Sequence, residues 1–173
     1  MFKPISYAVL LAASGTVFAN VDNSKLPEPV RVPAGHAVAL ETLGKGEITY
    51  VCREKKDTAG SFEWAFVVPA ATLWDMNQKA VGKYYGGPTW EAHDGSKITG
   101  KQVAVAPGGA GNIPLQLVKA DPAMGNGAMS GVTFVQRLET RGGVAPAALC
   151  SAANNGGKQQ VGYQARYVFY KPL

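Results

Sequence analysis

The sequence predicts a mostly all-β protein, built as an antiparallel β-sandwich or barrel with long Gly/Pro-rich loops and one disulfide. Residues 62–68 and 163–169 carry large apolar side chains at every second position, the period of half-buried strands. Clusters of Gly, Asn, Asp and Pro separate such segments and supply the backbone angles of turns. No window of eleven residues has a helical stripe free of Gly and Pro, so we expect eight or nine short strands and at most one short helix.

The chain begins with a segment that predicts export. Lys3 precedes an apolar run from about residue 5 to residue 18, and Ala19 follows it. This pattern predicts a signal peptide over residues 1–19 and a secreted protein, periplasmic or extracellular. The run is too short and too interrupted for a permanent span, which needs about 20 apolar residues, and no second run follows. We therefore expect no transmembrane segment in the processed protein.

The remaining chain is expected to hold an extended N-terminal segment, residues 20–35, and a single β domain, residues 36–173. Three prolines and little periodicity characterise the first part. Nine segments in the second have strand character: 36–43, 46–53, 61–69, 81–85, 88–92, 96–106, 113–120, 131–139 and 161–170. The main turn clusters are 75–79, 93–96, 107–112, 121–129 and 154–159.

Two cysteines, Cys52 and Cys150, lie in the part of the chain expected to be exported. In an oxidising compartment such a pair predicts a disulfide. The bond would close a loop of 97 residues. In the chain-entropy model, closing a loop of about this length stabilises the folded protein by about 4.7 kcal/mol. The alternative is a pair of buried free thiols.

Composition argues against several classes of function. The chain has seventeen Lys and Arg residues and twelve Asp and Glu residues, which gives a formal net charge of +5. The basic residues of the 52–57 cluster are mixed with acidic ones, so we expect no nucleic-acid partner. The glycines of residues 107–112 precede Pro114 rather than a third glycine and a helix, so no dinucleotide cofactor is expected. His36 and His93 are the only histidines and have no ligand spacing, so no metal is expected.

Residues 84–100 concentrate aromatic, acidic and histidine side chains around a turn at Asp94 and Gly95. One interpretation is structural: a hairpin with a buried tryptophan, since Asp-Gly favours a tight turn. The other is a binding site for a small polar or carbohydrate-like ligand or an envelope surface, where rings stack, acids accept hydroxyl hydrogen bonds and an arginine counters negative charge. The residues of this predicted site are Tyr84, Tyr85, Trp90, Glu91, His93, Asp94 and Arg137.

Two other functions compete with binding. Glu91 or Asp94 would serve as acid or base in a hydrolase, and a structural envelope protein would self-associate through its sheet edges. For Arg137 the alternative to a ligand carboxylate is an internal pair with Glu139 or Glu91.

Five stretches, residues 66–75, 81–100, 113–120, 131–150 and 163–170, together resemble a family of small secreted proteins of bacteria and fungi that is known only as a domain of unknown function. The resemblance extends from about Val51 to Tyr170. It implies two signatures, within residues 87–96 and 136–150. The positions matching them are Gly87, Pro88, Thr89, Trp90, Glu91, Asp94, Gly95 and Ser96 in the first, and Gln136, Arg137, Thr140, Gly142, Gly143 and Cys150 in the second.

The chain departs from that family pattern at Tyr84, where many members have histidine, and at Glu139, where asparagine is common. A mechanism that requires histidine at position 84 is thereby disfavoured. Some fungal members carry a malate dehydrogenase label, which these residues do not support because the dinucleotide fingerprint is missing. The resemblance favours the site interpretation of residues 84–100 and implies no particular activity.

Overall fold

The computed structural model describes residues 21–173, so the signal peptide expected over residues 1–19 lies outside the described residues. Eight antiparallel strands form a closed barrel in which each strand pairs with its neighbours in sequence and the last strand closes on the first. The strands are β1 His36–Glu54, β2 Phe62–Trp74, β3 Ala80–Tyr85, β4 Thr89–Ala92, β5 Lys97–Ala106, β6 Leu115–Ala120, β7 Phe134–Gly142 and β8 Lys158–Pro172. The all-β, antiparallel prediction is confirmed, and of its two forms the barrel is the one adopted.

Helical structure in residues 21–173 is limited to three 3-10 turns, Asn23–Lys25, Glu28–Val30 and Ala152–Asn154. Within this part of the chain no helix has the length and apolar character needed to cross a membrane.

Strand β1 joins two segments that the sequence separates at its glycines. A Cβ on Gly44 would lie 2.5 Å from Cε2 of Tyr167 inside the barrel, and one on Gly46 would collide with the backbone of Ala70. Both glycines are therefore required by close packing rather than by a turn. The uninterrupted strand pairs with β2 on one side and β8 on the other along most of its length.

Aromatic rings fill the barrel interior. Tyr163, Ala165, Tyr167 and Phe169 of β8 are at most 4% exposed, so the alternation seen in the sequence places one face of this strand inward. Trp90 of β4 meets Tyr167 edge-to-face, with ring centroids 5.8 Å apart. Such close aromatic contacts make this cluster the centre of the core.

Residues 21–35 pack against the outer wall of the barrel. Val30 and Val32 are buried with Leu138 and Val168 in a second, smaller apolar cluster. Gln136 Nε2 donates to the Val30 carbonyl at 2.6 Å, and this hydrogen bond links the segment to β7. Gln136, a residue of the second signature, therefore has a structural role.

The Cys52–Cys150 disulfide is present, with a Cα–Cα distance of 5.5 Å, which confirms the predicted pair. Cys52 is fully buried on β1, while Cys150 lies in the connection between β7 and β8. The backbone N–H of Cys52 donates to the carbonyl of Gly157, and that of Gly156 to the carbonyl of Cys52. Covalent and hydrogen bonds thus hold this long connection against β1.

The alternation in residues 62–68 predicted the strand correctly but not the burial of all its apolar side chains. Phe66 is 58% and Val68 36% exposed. Pairing with β3 begins only at Ala70, so the preceding part of β2 has β1 as its one strand neighbour in the described barrel. A register shift between Thr49 and Tyr50 also breaks the alternation here, since Tyr50 pairs with Phe66 while Thr49 pairs with Val68, so the side chains of Phe66 and Val68 face opposite sides of the strand.

Candidate functional site

The side chains that the sequence nominates as one ligand site lie in three places. Successive residues of a strand face opposite sides, so Tyr84 and Tyr85 separate. One group faces the barrel interior, a second lies on the outer wall of β3 and β4, and a third lies at the β4–β5 turn. These groups are Tyr84, Trp90 and Arg137; Tyr85 and Glu91; and His93 and Asp94.

Trp90 belongs to the core. It is 1% exposed, and its ring lies 5.0 Å from that of Tyr84 and 6.3 Å from that of Phe169. A ring enclosed in this way cannot stack on a ligand that arrives from solvent. Tyr84, at 6% exposure, lies between this core and an open cleft described below.

Tyr85 and Glu91 form a polar pair on the outer wall. Tyr85 Oη donates to Glu91 Oε2 at 2.6 Å, and Lys83 Nζ lies 3.1 Å from Glu91 Oε1. The tyrosine hydrogen bond, followed by that from Lys83, lowers the pKa of Glu91. Because this carboxyl group is ionised at neutral pH, it does not offer the proton that a general acid requires.

Asp94 anchors a long loop. Its Oδ1 accepts from the Ser96 hydroxyl at 2.6 Å and backbone N–H at 2.9 Å, and its Oδ2 accepts from the Ala128 N–H at 2.8 Å. The Ser96 hydroxyl oxygen accepts in turn from the Met129 N–H at 3.1 Å. Residues 94–96 therefore fasten the connection between β6 and β7 to the β4–β5 turn. The side chain of His93 beside them is exposed.

The hydrogen bond from the Ser96 hydroxyl, followed by those from the backbone N–H groups of Ala128 and Ser96, lowers the pKa of Asp94 below its ordinary value. We expect the stabilisation to be fully present above the unfolded-state pKa and to be lost as pH falls through the lower folded-state value. Asp94→Asn should lower the urea midpoint at pH 7, and its difference from wild type should shrink below about pH 4. Urea titrations at several pH values measure this. Asp57→Asn, which removes the same charge in the β1–β2 turn, is the control, and a pH-independent difference would contradict the assignment.

Arg137 and Tyr84 line a cleft at the end of the barrel opposite Asp94. We call it the Arg137 cleft. Its volume is 460 Å³, and its lining residues are Phe66, Val67, Pro69, Tyr84, Gly86, Gly87, Pro88, Gln102, Gln116 and Arg137.

The Arg137 cleft exists because the β3–β4 hairpin is short. The hairpin ends at its turn, residues 86–88, whereas the neighbouring strands β2 and β5 extend beyond this point. A Cβ on Gly86 would lie 2.7 Å from Val68 Cγ2, so glycine allows this turn to lie close against β2. The resulting notch opens the barrel wall above the inward-facing side chains of β6 and β7.

Arg137 brings a cation to the cleft. Its Nε and Nη2 donate to the Pro114 carbonyl at 3.1 and 2.9 Å. Within residues 21–173, no carboxylate lies at ion-pair distance from it; Glu139, a predicted partner, instead lies 2.9 Å from Arg166, and Glu91 pairs with Lys83. The guanidinium is thus held in place by a neutral carbonyl and retains its charge for another group.

Two glutamines that the sequence analysis missed complete the polar lining. Gln116 Nε2 donates to Gln102 Oε1 at 2.6 Å, which orients both amides. This hydrogen bond leaves the Gln102 N–H donors and the Gln116 carbonyl available for other hydrogen bonds. These residues and Phe66 lie on different strands, and no local motif in the sequence connects them.

The tyrosines near this end of the barrel are neutral. Burial raises the pKa of Tyr50, Tyr84 and Tyr163, and the opposing charge of Arg137 does not reverse that effect. Their hydroxyl groups are hydrogen-bond donors or acceptors at neutral pH and carry no charge that would neutralise the arginine.

In the part of the chain that the structure describes, no three His, Cys, Asp or Glu side chains converge in a way that would hold a metal ion.

Comparison with known proteins found a family and no individual relative. Neither the curated proteins nor the solved structures contained a match. The family model described as "Protein of unknown function (DUF3455)" matches residues 33–171, which include the entire barrel except the end of β8. The chain belongs to this DUF3455 family.

Proposed function

We propose that the protein is an exported binding protein for a small ligand that carries a carboxylate on a ring, with an acidic sugar as the ligand class. The proposal of export rests on the signal-peptide pattern of residues 1–19 and is supported by the disulfide, which persists in oxidising compartments. The observation that carries the proposed ligand is Arg137, a positioned guanidinium that lines an open cleft.

The remaining lining supports the same ligand class. A volume of 460 Å³ lies within the usual range of small-molecule sites. Phe66, which is 58% exposed, supplies a ring face for the C–H face of a sugar, while the Gln102 and Gln116 amides supply donors and an acceptor for hydroxyl groups. A carboxylate would accept hydrogen bonds from Arg137, the side chain best suited to that anion.

Isothermal titration calorimetry of the oxidised protein with glucuronate, glucose and benzoate tests the proposal. Glucuronate is expected to bind more tightly than glucose, because only glucuronate carries the anion. Benzoate separates the contribution of a carboxylate on a ring from that of the sugar hydroxyl groups. Equal affinity for glucuronate and glucose, or no binding of any of the three, would refute it.

We expect Arg137→Met to weaken glucuronate binding at least tenfold, since a hydrogen bond to a charged group contributes about 1.5–3 kcal/mol. Arg137→Lys should show a smaller loss, because it keeps the charge without the planar fork. Arg141→Met is the matched control, as it removes the same charge from an exposed position on the same strand. Thermal unfolding of each variant checks that the barrel is intact. Unchanged affinity in a folded Arg137→Met variant would exclude this site.

A further inference from the structure

A second cavity lies at the opposite end of the barrel, beneath the loop that Asp94 anchors. We call it the Thr42 cavity. It has a volume of 290 Å³, and its lining residues are Leu40, Thr42, Leu73, Lys79, Ala80, Val81, Ala92, His93, Asp94, Ala128 and Met129.

The walls of the Thr42 cavity are mainly aliphatic, and its polar side chains are few. Lys79, His93 and Asp94 come from the turns at this end of the barrel, and Asp94 is already committed to the backbone of Ala128. Met129, which is 1% exposed, is held by the hydrogen bond of its N–H to Ser96. The loop above the cavity is therefore fastened in place by Asp94 and Ser96.

Thr42 is the unusual feature of this cavity. Its side chain is fully buried, yet its Oγ1 has no hydrogen-bond partner in residues 21–173. Buried hydroxyl groups nearly always find a partner, because an unpaired one has lost water without replacing it. A valine of the same shape would avoid that cost, so the unpaired hydroxyl in a cavity wall indicates a place where a partner binds.

We propose that the Thr42 cavity binds a small, neutral, mostly apolar molecule with one hydrogen-bond acceptor, such as a cyclic ketone. The ligand's body contacts Leu40, Leu73 and Val81, and its oxygen accepts a hydrogen bond from Thr42 Oγ1. A water molecule is a poorer occupant, since it requires two to four polar partners and the neighbouring walls are aliphatic. The cavity volume lies at the small end of the range for ligand sites.

This inference is independent of the proposed function. The two sites lie at opposite ends of the barrel and share no lining residue. Their ligands also differ, since one is anionic and polar and the other neutral and apolar. Either site can therefore fail its test while the other passes.

Cyclohexanone and methylenecyclohexane provide a test, because they have nearly the same shape and differ in the acceptor oxygen. Both are titrated into the oxidised protein, and binding is followed through the methyl NMR resonances of Leu73, Val81 and Met129. In Thr42→Val we expect the preference for cyclohexanone over methylenecyclohexane to fall at least tenfold relative to wild type. Thr42→Ser keeps the hydroxyl group and should keep the preference.

Two outcomes would overturn the proposal. If neither compound shifts the three sets of resonances, the cavity holds water or nothing. If both bind but Thr42→Val leaves their affinity ratio unchanged, the hydroxyl does not recognise the ligand. Thr42→Val replaces only an unpaired hydroxyl group, so we expect a folded protein. If it does not fold, equal affinity of the wild type for cyclohexanone and methylenecyclohexane would still contradict the proposal.

Discussion

Replacing both cysteines by alanine is expected to lower the free energy of unfolding by about 4.7 kcal/mol, the chain-entropy value for a loop of about 100 residues. Cys52 and Cys150 are 98 positions apart, so their bond removes a large share of the conformations open to the unfolded chain. In the folded protein the same bond holds the β7–β8 connection against β1. We therefore expect this connection to be the first region to lose protection from hydrogen exchange in the variant.

Urea unfolding of the oxidised wild type and of Cys52→Ala/Cys150→Ala measures the loss. Reductant should lower the free energy of unfolding of the wild type nearly to that of the double variant, and it should not change that of the double variant. This comparison separates the effect of the disulfide from the effect of the two substitutions. A loss below about 1 kcal/mol would mean that the unfolded chain is already compact without the disulfide.

Trp90→Ala is expected to destabilise the protein by about 3–5 kcal/mol, the usual cost of truncating a buried aromatic side chain. The ring is 1% exposed and contacts Tyr84, Tyr167 and Phe169, so its removal leaves a cavity at the centre of the barrel. Trp90→Phe should cost less. It retains a ring and removes the Nε1 donor, which has no hydrogen-bond partner within residues 21–173.

Trp74→Ala, at a half-buried position on β2, is the matched control and should destabilise the protein less. Calorimetric titration shows whether Trp90 contributes to ligand binding as well as to stability. A folded Trp90→Phe variant should retain its affinity for glucuronate, because Trp90 does not line the Arg137 cleft. If that variant lost affinity for glucuronate with little loss of stability, Trp90 would be part of the ligand-binding site.

The strand pattern was readable from the sequence because backbone geometry imposes it locally. Alternation in residues 163–169 predicted both a strand and the face that points into the barrel. The same pattern in residues 62–68 predicted only the strand, since a register shift between β1 and β2 places Phe66 and Val68 on opposite faces and pairing with β3 begins only at Ala70. Likewise, Gly44 and Gly46 resemble turn residues in the sequence, and only the packing of Tyr167 and Ala70 explains them.

The candidate site was less predictable than the fold. Clustering in sequence placed Trp90, Glu91 and Asp94 together, yet they face the core, the outer wall and a loop. From its residue type, Arg137 was expected either to pair with Glu139 or Glu91 or to hold a ligand carboxylate. Both glutamates pair with other residues in the structure, and the cleft that Arg137 lines also contains Gln102 and Gln116, which no motif marked.

The all-β class, the approximate strands and turns and the pairing of Cys52 with Cys150 were predictable without a structure. Each of these depends on local backbone preference or on the scarcity of a residue type. The folded barrel is needed to show which strand faces point inward, where the barrel remains open and which side chains meet at Arg137 and Thr42. Those properties depend on register and on the relative lengths of strands far apart in the chain, which no local pattern encodes.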